Sequence, residues 1–381
     1  MSLILKLIAG ILGGIAAGFY LPMGLVELLY TAKVIIGQLI SFTIPLIILF
    51  FIASGIAGLP KGSGHLLGKT VGFAYGSTII AGTLAVILVN AFIPFFDGAI
   101  SYEATSAIEI KSYINVEIPP LMGVMTALAT AFIFGIGISQ LNLKSLKEVT
   151  DQGRDVIDAL LAKVIIPALP FYIAGVFAEM AVAGTVADTL STFGIVLVAA
   201  IVMHWLWLTV LYVGSGILLK RSPVELIKNM LPAYFTAIGT MSSAATIPVS
   251  LRASKANGVN EEVANFSVPL CATIHLSGST ITIVTCAMAV MLLSPTMAVP
   301  SLLQMLPFIF MLGVVMIAAP GAPGGAVMSA LGLLTSMLGF NEAAVALMIA
   351  LYLAQDSFGT ACNVTGDGVI ALWVNRFSQR A

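Results

Sequence analysis

The sequence predicts an all-α polytopic membrane protein with eight transmembrane helices and two re-entrant helical hairpins set as inverted repeats. Three observations lead there. Only 9% of the 381 residues are charged and 59% are hydrophobic, whereas a water-soluble domain carries about a quarter charged residues. Eight apolar stretches lie near 3–21, 34–59, 66–94, 120–139, 160–186, 190–219, 262–293 and 342–374, on the scale of the ~20 residues that cross ~30 Å of hydrocarbon. Two more, 230–251 and 304–338, are interrupted at their centres. This composition excludes nucleic-acid binders, soluble Rossmann enzymes and disordered chains. Lipid is an expected partner; nucleic acid is not.

Taken in order, the first stretch follows Lys6 and reads as a retained helix rather than a cleaved signal peptide. The third contains Ser77-Thr78, and the outer loop 97–119 carries Asp97, Glu103, Glu109 and Glu117. His204, beside Trp205 and Trp207, reads as an interfacial anchor, and His65 as a solvated loop residue. The two interrupted stretches break at Ser242-Ser243-Ala244-Ala245-Thr246-Ile247-Pro248 and at Pro320-Gly321-Ala322-Pro323-Gly324-Gly325. Proline lacks the amide donor and glycine is costly in a helix, so neither core runs straight through. Irregular backbone at membrane depth needs protein or a wet cavity around it. If both are hairpins and the N-terminus is cytoplasmic, fourteen of the sixteen lysines and arginines fall inside, leaving Lys33 and Lys111 outside. Two full crossings would leave only twelve inside. Each hairpin precedes a long apolar stretch at matched distance: Ser242 to His275 is 33 residues and Gly321 to Asp356 is 35. Paired, interrupted segments in two halves point to a transporter's midplane site. Cys271, Cys286 and Cys362 sit in apolar runs without CxxC spacing and read as buried small hydrophobes.

Carboxylates inside such stretches are costly. Asp356 and Asp367 both lie in the last one, and at ~100° per residue Asp356, Thr360, Asn363 and Asp367 form one oxygen-rich stripe. No lysine or arginine between residues 256 and 375 can neutralise it, so a bound cation or a substrate ammonium is the expected partner. Hard cations take carboxylate, amide and carbonyl oxygens, which the stripe and an unwound Gly366-Asp367-Gly368 would supply. The stretch 262–293 has its own polar break at Thr273–Thr280, containing His275. A histidine there reads either as a proton carrier or as a neutral hydrogen-bonding residue. An intramembrane aspartyl protease needs two carboxylates on one water, but eleven residues of helix separate these by about 16 Å. A passive channel and a non-transporting receptor are the remaining rivals, and no enzyme activity is expected.

These motifs resemble the dicarboxylate/amino acid:cation symporter family, which includes the glutamate transporters. The likeness spans the whole plan and is sharpest over 230–377. The serine-rich tip Ser242, Ser243, Ala244 and Thr246 looks like the family's inner hairpin, which holds the substrate carboxylate. Ala322, Pro323 and Gly324 look like its outer gate, and Asn363-Val364-Thr365-Gly366-Asp367 matches its last-helix signature. The resemblance implies substrate contacts at Asp356 (with the amino group), Gly359, Thr360 and Asn363. It implies sodium positions at Ser77, Thr78, Cys271, His275, Ser277, Asn363 and Asp367, with an outer-hairpin site made mainly of backbone oxygens. Gly359 stands where acidic-substrate members carry an arginine, so restoring one is expected to favour aspartate. A second substrate carboxylate would otherwise lack a cation. The family's Asn-Met-Asp-Gly-Thr reads His275-Leu276-Ser277-Gly278-Ser279 here, which removes one charged sodium ligand and implies fewer coupled ions. The implied function is a sodium symporter for a small neutral amino acid such as serine, threonine or alanine, closest in motif to the serine/threonine branch. A proton-coupled version and an acidic or dicarboxylate carrier are the alternatives. The coupling ions are sodium or protons, with no organic cofactor. The implied assembly is a homotrimer in the inner plasma membrane, with both termini cytoplasmic. Scaffold segments 1–65 and 95–186 would flank transport segments 66–94, 187–221 and 222–381.

Overall fold

A computed structural model describes residues 3–58, 64–92, 110–114, 116–294, 297–319, 321 and 323–378. His65, Ala322 and most of the acidic outer loop lie outside the residues or side chains it describes. The described residues are mostly helical and contain no strand: α1 (Leu3–Tyr20), α2 (Met23–Ala57), α3 (Gly64–Phe92), α4 (Val124–Leu141), α5 (Lys144–Leu160), α6 (Ile166–Val182), α7 (Val186–Leu219), α8 (Pro223–Thr240), α9 (Ser243–Ala256), α10 (Glu261–Ile274), α11 (Ser277–Leu293), α12 (Leu302–Met316), α13 (Gly325–Leu338) and α14 (Glu342–Ser378). In hydrocarbon every backbone N–H and C=O must be satisfied within its own segment, which helices do. Seven described helical runs are long and apolar enough to cross a membrane, with α1, α12 and α13 shorter but apolar. Large apolar side chains such as Ile133, Ile217 and Leu303 point outward, 70–77% exposed, as lipid contact requires.

Two packing groups are evident. In one, α2 packs on α4, α5 and α6, and α1 lies along α6. Gly10, Gly14 and Gly18 form a small-residue stripe on α1, where an added Cβ would run into the Pro170, Ala174 and Ala178 carbonyls of α6. In the other group α14 is central, contacting α3, α7, α8, α9, α10 and α11. The charged segment between the fourth and fifth apolar stretches forms the amphipathic helix α5, joined to α6 by a π-helical turn at Leu161–Ile165.

Each interrupted segment is a pair of helices packed side by side. The chain turns from α8 into α9 at Met241, whose φ of 53° is left-handed, and Ser242 caps α9. Gly324, at φ 76°, enters α13; a left-handed residue there is cheapest as glycine. The two tips meet where the Ser242 hydroxyl donates to the Gly321 carbonyl at 2.8 Å. The polar break at His275 is a true interruption between α10 and α11. Gly366-Asp367-Gly368, expected to be unwound, is helical inside an unbroken α14. Its glycines make room for neighbours, since a Cβ at Gly366 would press on the His275 ring and one at Gly368 on Met230. The two hairpin–helix units therefore differ: the first ends in a broken helix, the second in a continuous one.

Candidate functional site

A helix begins with four N–H groups that have no intrahelical acceptor and with a partial positive charge. Three helix N-termini, those of α9, α11 and α13, gather around the middle of α14, and two of them are closed by α14 side chains. The Asp356 carboxylate accepts from the Gly324 amide at 2.7 Å, placing an anion at the start of α13. Asn363 Oδ1 accepts from the amides of Gly278 (2.7 Å) and Ser279 (3.1 Å), and its Nδ2 donates to Ser279 Oγ at 2.9 Å. Asn363 thus caps α11 from another helix. The third terminus, that of α9, has only its own Ser242, whose hydroxyl accepts from Ala245 at 3.3 Å.

That third terminus opens onto a cavity of about 600 Å³ between the packing groups. Ser242, Ala244, Gly321, Pro323 and Thr273 line one wall; Ser54 and Gly58 of α2 and Arg154, Asp155 and Asp158 of α5 line the other. Arg154 donates to Ser54 Oγ at 3.1 Å and pairs with Asp155 at 2.9 Å. Arg154 thus brings a basic side chain to the cavity wall from outside the segment 256–375.

The stripe on α14 keeps its register but each member serves a different neighbour. Asp356 and Thr360 are buried beneath the hairpin tips, with the Tyr352 and Thr360 hydroxyls approaching the Asp356 carboxylate. Tyr352, one turn before Asp356, also faces Ser279; it is not among the residues singled out from sequence. Asp367, three turns away, meets the His275 ring, Oδ1 to Nδ1 at 2.8 Å. Nε2 of the same ring lies 2.8 Å from the Ser77 hydroxyl. Ser243 is buried beside the tip, and the Thr246 hydroxyl donates to the Ser242 carbonyl at 2.8 Å.

Other residues singled out from sequence lie apart from the cavity. The Thr78 hydroxyl donates to Ala74 in its own helix at 2.9 Å. The Cys271 thiol packs with Ile370 and Val374, while its carbonyl accepts from the His275 amide at 2.8 Å. The Ser277 hydroxyl is buried with no hydrogen-bond partner among the described residues. Gly359 faces α11: a Cβ there would lie 3.1 Å from Thr282 Oγ1, and the Gly359 carbonyl leaves no room for a Cβ on Gly278. His204, expected at the interface, is 1% exposed and its Nε2 bonds Gly278 O (3.1 Å) and Thr282 Oγ1 (3.0 Å). The aromatic flanks suggested an anchor, but the imidazole satisfies the crossing of α7 and α11.

The sequence resembles several known proteins. The human excitatory amino acid transporter 1 is 26% identical over 294 residues, covering 74% of this chain and 53% of that protein. The chain thus spans about half the length of these first relatives. Serine/threonine transporters SstT from Lacticaseibacillus casei and Acinetobacter baumannii are each 25% identical, covering 96% of the chain and 87% and 94% of those proteins. The profile of the sodium:dicarboxylate symporter family matches residues 3–377, nearly the whole sequence, and the chain belongs to that family.

Proposed function

We propose that the protein is a secondary active symporter that takes up a small neutral amino acid, such as serine, threonine or alanine, together with sodium. One observation carries the substrate assignment: of the three helix N-termini at the centre of the molecule, that of α9 alone faces the cavity without a side chain of α14 closing it. A substrate carboxylate fits the amides of Ser243 and Ala244 there, as anions fit helix N-termini generally. The ammonium goes to Asp356, which exchanges the Gly324 amide for it and so frees the outer hairpin to move. Arg154 is already engaged by Ser54 and Asp155, so a second substrate carboxylate lacks a free cation, which supports a neutral side chain.

For sodium, the favoured position is the C-terminal end of α10. The last carbonyls of a helix lack intrahelical donors and carry its negative dipole end. Among them the Ala272 carbonyl lies near Gly321 of the outer hairpin, where a Cβ would sit 3.8 Å from its oxygen. Sodium held between α10 and the outer tip couples ion to substrate through hairpin closure, and linkage makes each tighten the other. In this reading 222–377 moves against a scaffold of α1, α2, α4, α5 and α6, in a homotrimer with cytoplasmic termini.

Reconstitution into liposomes tests it. Serine or alanine accumulation under an inward sodium gradient, saturable and abolished when choline replaces sodium, is the expected result. Accumulation driven by a proton gradient without sodium would overturn the ion; conductance without saturation would overturn the carrier itself.

A further inference from the structure

We propose that the buried carboxylate of Asp367 takes no sodium in this chain, because the His275 ring, fixed between that carboxylate and Ser77, fills the position an ion would need. The proposal rests on the symporter reading and narrows where its ion binds.

A carboxylate in a membrane interior needs a partner, from solution or from the protein. Here the protein supplies it. Asp367 is 1% exposed and His275 0%, and the ring bonds the carboxylate through one nitrogen and the Ser77 hydroxyl through the other, both at 2.8 Å. The contact is built in from three helices. α3 brings Ser77, the break between α10 and α11 brings His275, and α14 brings Asp367. Gly366 matters too, since a Cβ there would sit 2.8 Å from His275 Cε1 and push the ring away.

The remaining donors do not suit sodium. Asn363 Oδ1 already receives two amides from α11. The Cys271 carbonyl receives the His275 amide, and its thiol faces an apolar cluster. An alkali cation prefers oxygen ligands, whereas imidazole and thiol suit softer metals. The order Ser77–His275–Asp367 also matches a hydrolase relay, but the Ser77 hydroxyl is buried.

The test is thermal stability of the purified full-length protein against sodium chloride, with choline chloride holding ionic strength constant, so no transport is required. Asp367→Asn removes the charge yet keeps an oxygen for the ring. The sodium midpoint of this variant is expected within about twofold of wild type; a tenfold weakening would overturn the proposal. In His275→Asn, a smaller oxygen-bearing side chain opens the position, and a new or tighter sodium response is expected that disappears in the His275→Asn/Asp367→Asn double variant. A response in His275→Asn identical to wild type would also overturn it, and this arm stands should Asp367→Asn fail to fold. A wild-type protein indifferent to sodium supports this proposal while removing sodium from the function above. Stabilisation by serine in the same assay tests the substrate reading separately.

Discussion

At the scale of single residues, two aspartates of one helix face have different tasks because different neighbours meet them. Asp356 stands at the start of α13 beside the hairpin tips, and in the proposed function its charge is the one that receives the substrate ammonium. Asp356→Asn keeps an oxygen for the Gly324 amide and loses the charge. Amino-acid affinity is expected to fall by about 100-fold, roughly 2.7 kcal/mol, with little change in melting temperature; calorimetric titration beside a thermal melt separates the two. The stripe itself was legible from helical periodicity, since 356, 360, 363 and 367 do share a face. What periodicity could not supply was the partner of each, which comes from the start of α13, from α11 and from the break between α10 and α11. Gly359 illustrates the gap. The family resemblance implied a pocket where an arginine at this position would select aspartate, yet a Cβ on Gly359 would lie 3.1 Å from Thr282 Oγ1. Gly359→Arg is therefore expected to lower folded yield through overpacking, by about 1–3 kcal/mol, without a new aspartate preference in competition uptake.

At the scale of elements, the organising device is the helix N-terminus. Both hairpins and the broken seventh stretch present one to α14, and the polar residues of α14 are spaced to receive two of them. The hairpins were legible from their proline, glycine and serine content. So was the break at His275, because a polar run cannot pass through lipid without a local purpose. The continuity of α14 was not, because Gly366 and Gly368 look like helix breakers when read alone; packing against His275 and Met230 uses their missing side chains instead. The charged α5 was missed for a related reason, since its charges masked an amphipathic face on α2. The cap on α11 gives an element-scale expectation. Asn363→Ala leaves the Gly278 and Ser279 amides without acceptors in a buried site, each costing about 1–3 kcal/mol. Melting temperature should drop clearly, while Asn363→Asp, which keeps the acceptors and adds charge suited to a helix start, should recover most of it. Equal loss in both variants would show that capping is not its role.

At the scale of the whole molecule, the cavity decides which side is open. It runs between the two packing groups from the hairpin tips to the ends of α2 and α5, the side on which charge counting places Lys144, Lys147 and Arg154. Asp356 and Thr360 are buried beneath the tips rather than on the cavity wall, so among the described residues the cavity reaches the Ser242–Gly321 contact but not the α14 stripe. A symporter that works by moving one group against the other must seal this cavity when it faces the opposite way. Ala244, exposed at the tip of α9 and on the cavity wall, is the place to watch it. The three native cysteines are buried and unpaired with one another, so a cysteine at 244 reports against a quiet background. Ala244→Cys should react with a hydrophilic maleimide applied from the cytoplasmic side of inverted vesicles, and at least five times more slowly from the outside. Serine with sodium should slow the cytoplasmic reaction by a similar factor, if the substrate carboxylate binds the tip as proposed. Equal labelling from both sides, unaffected by serine, would mean a continuous pore through the molecule and would replace a carrier with a channel.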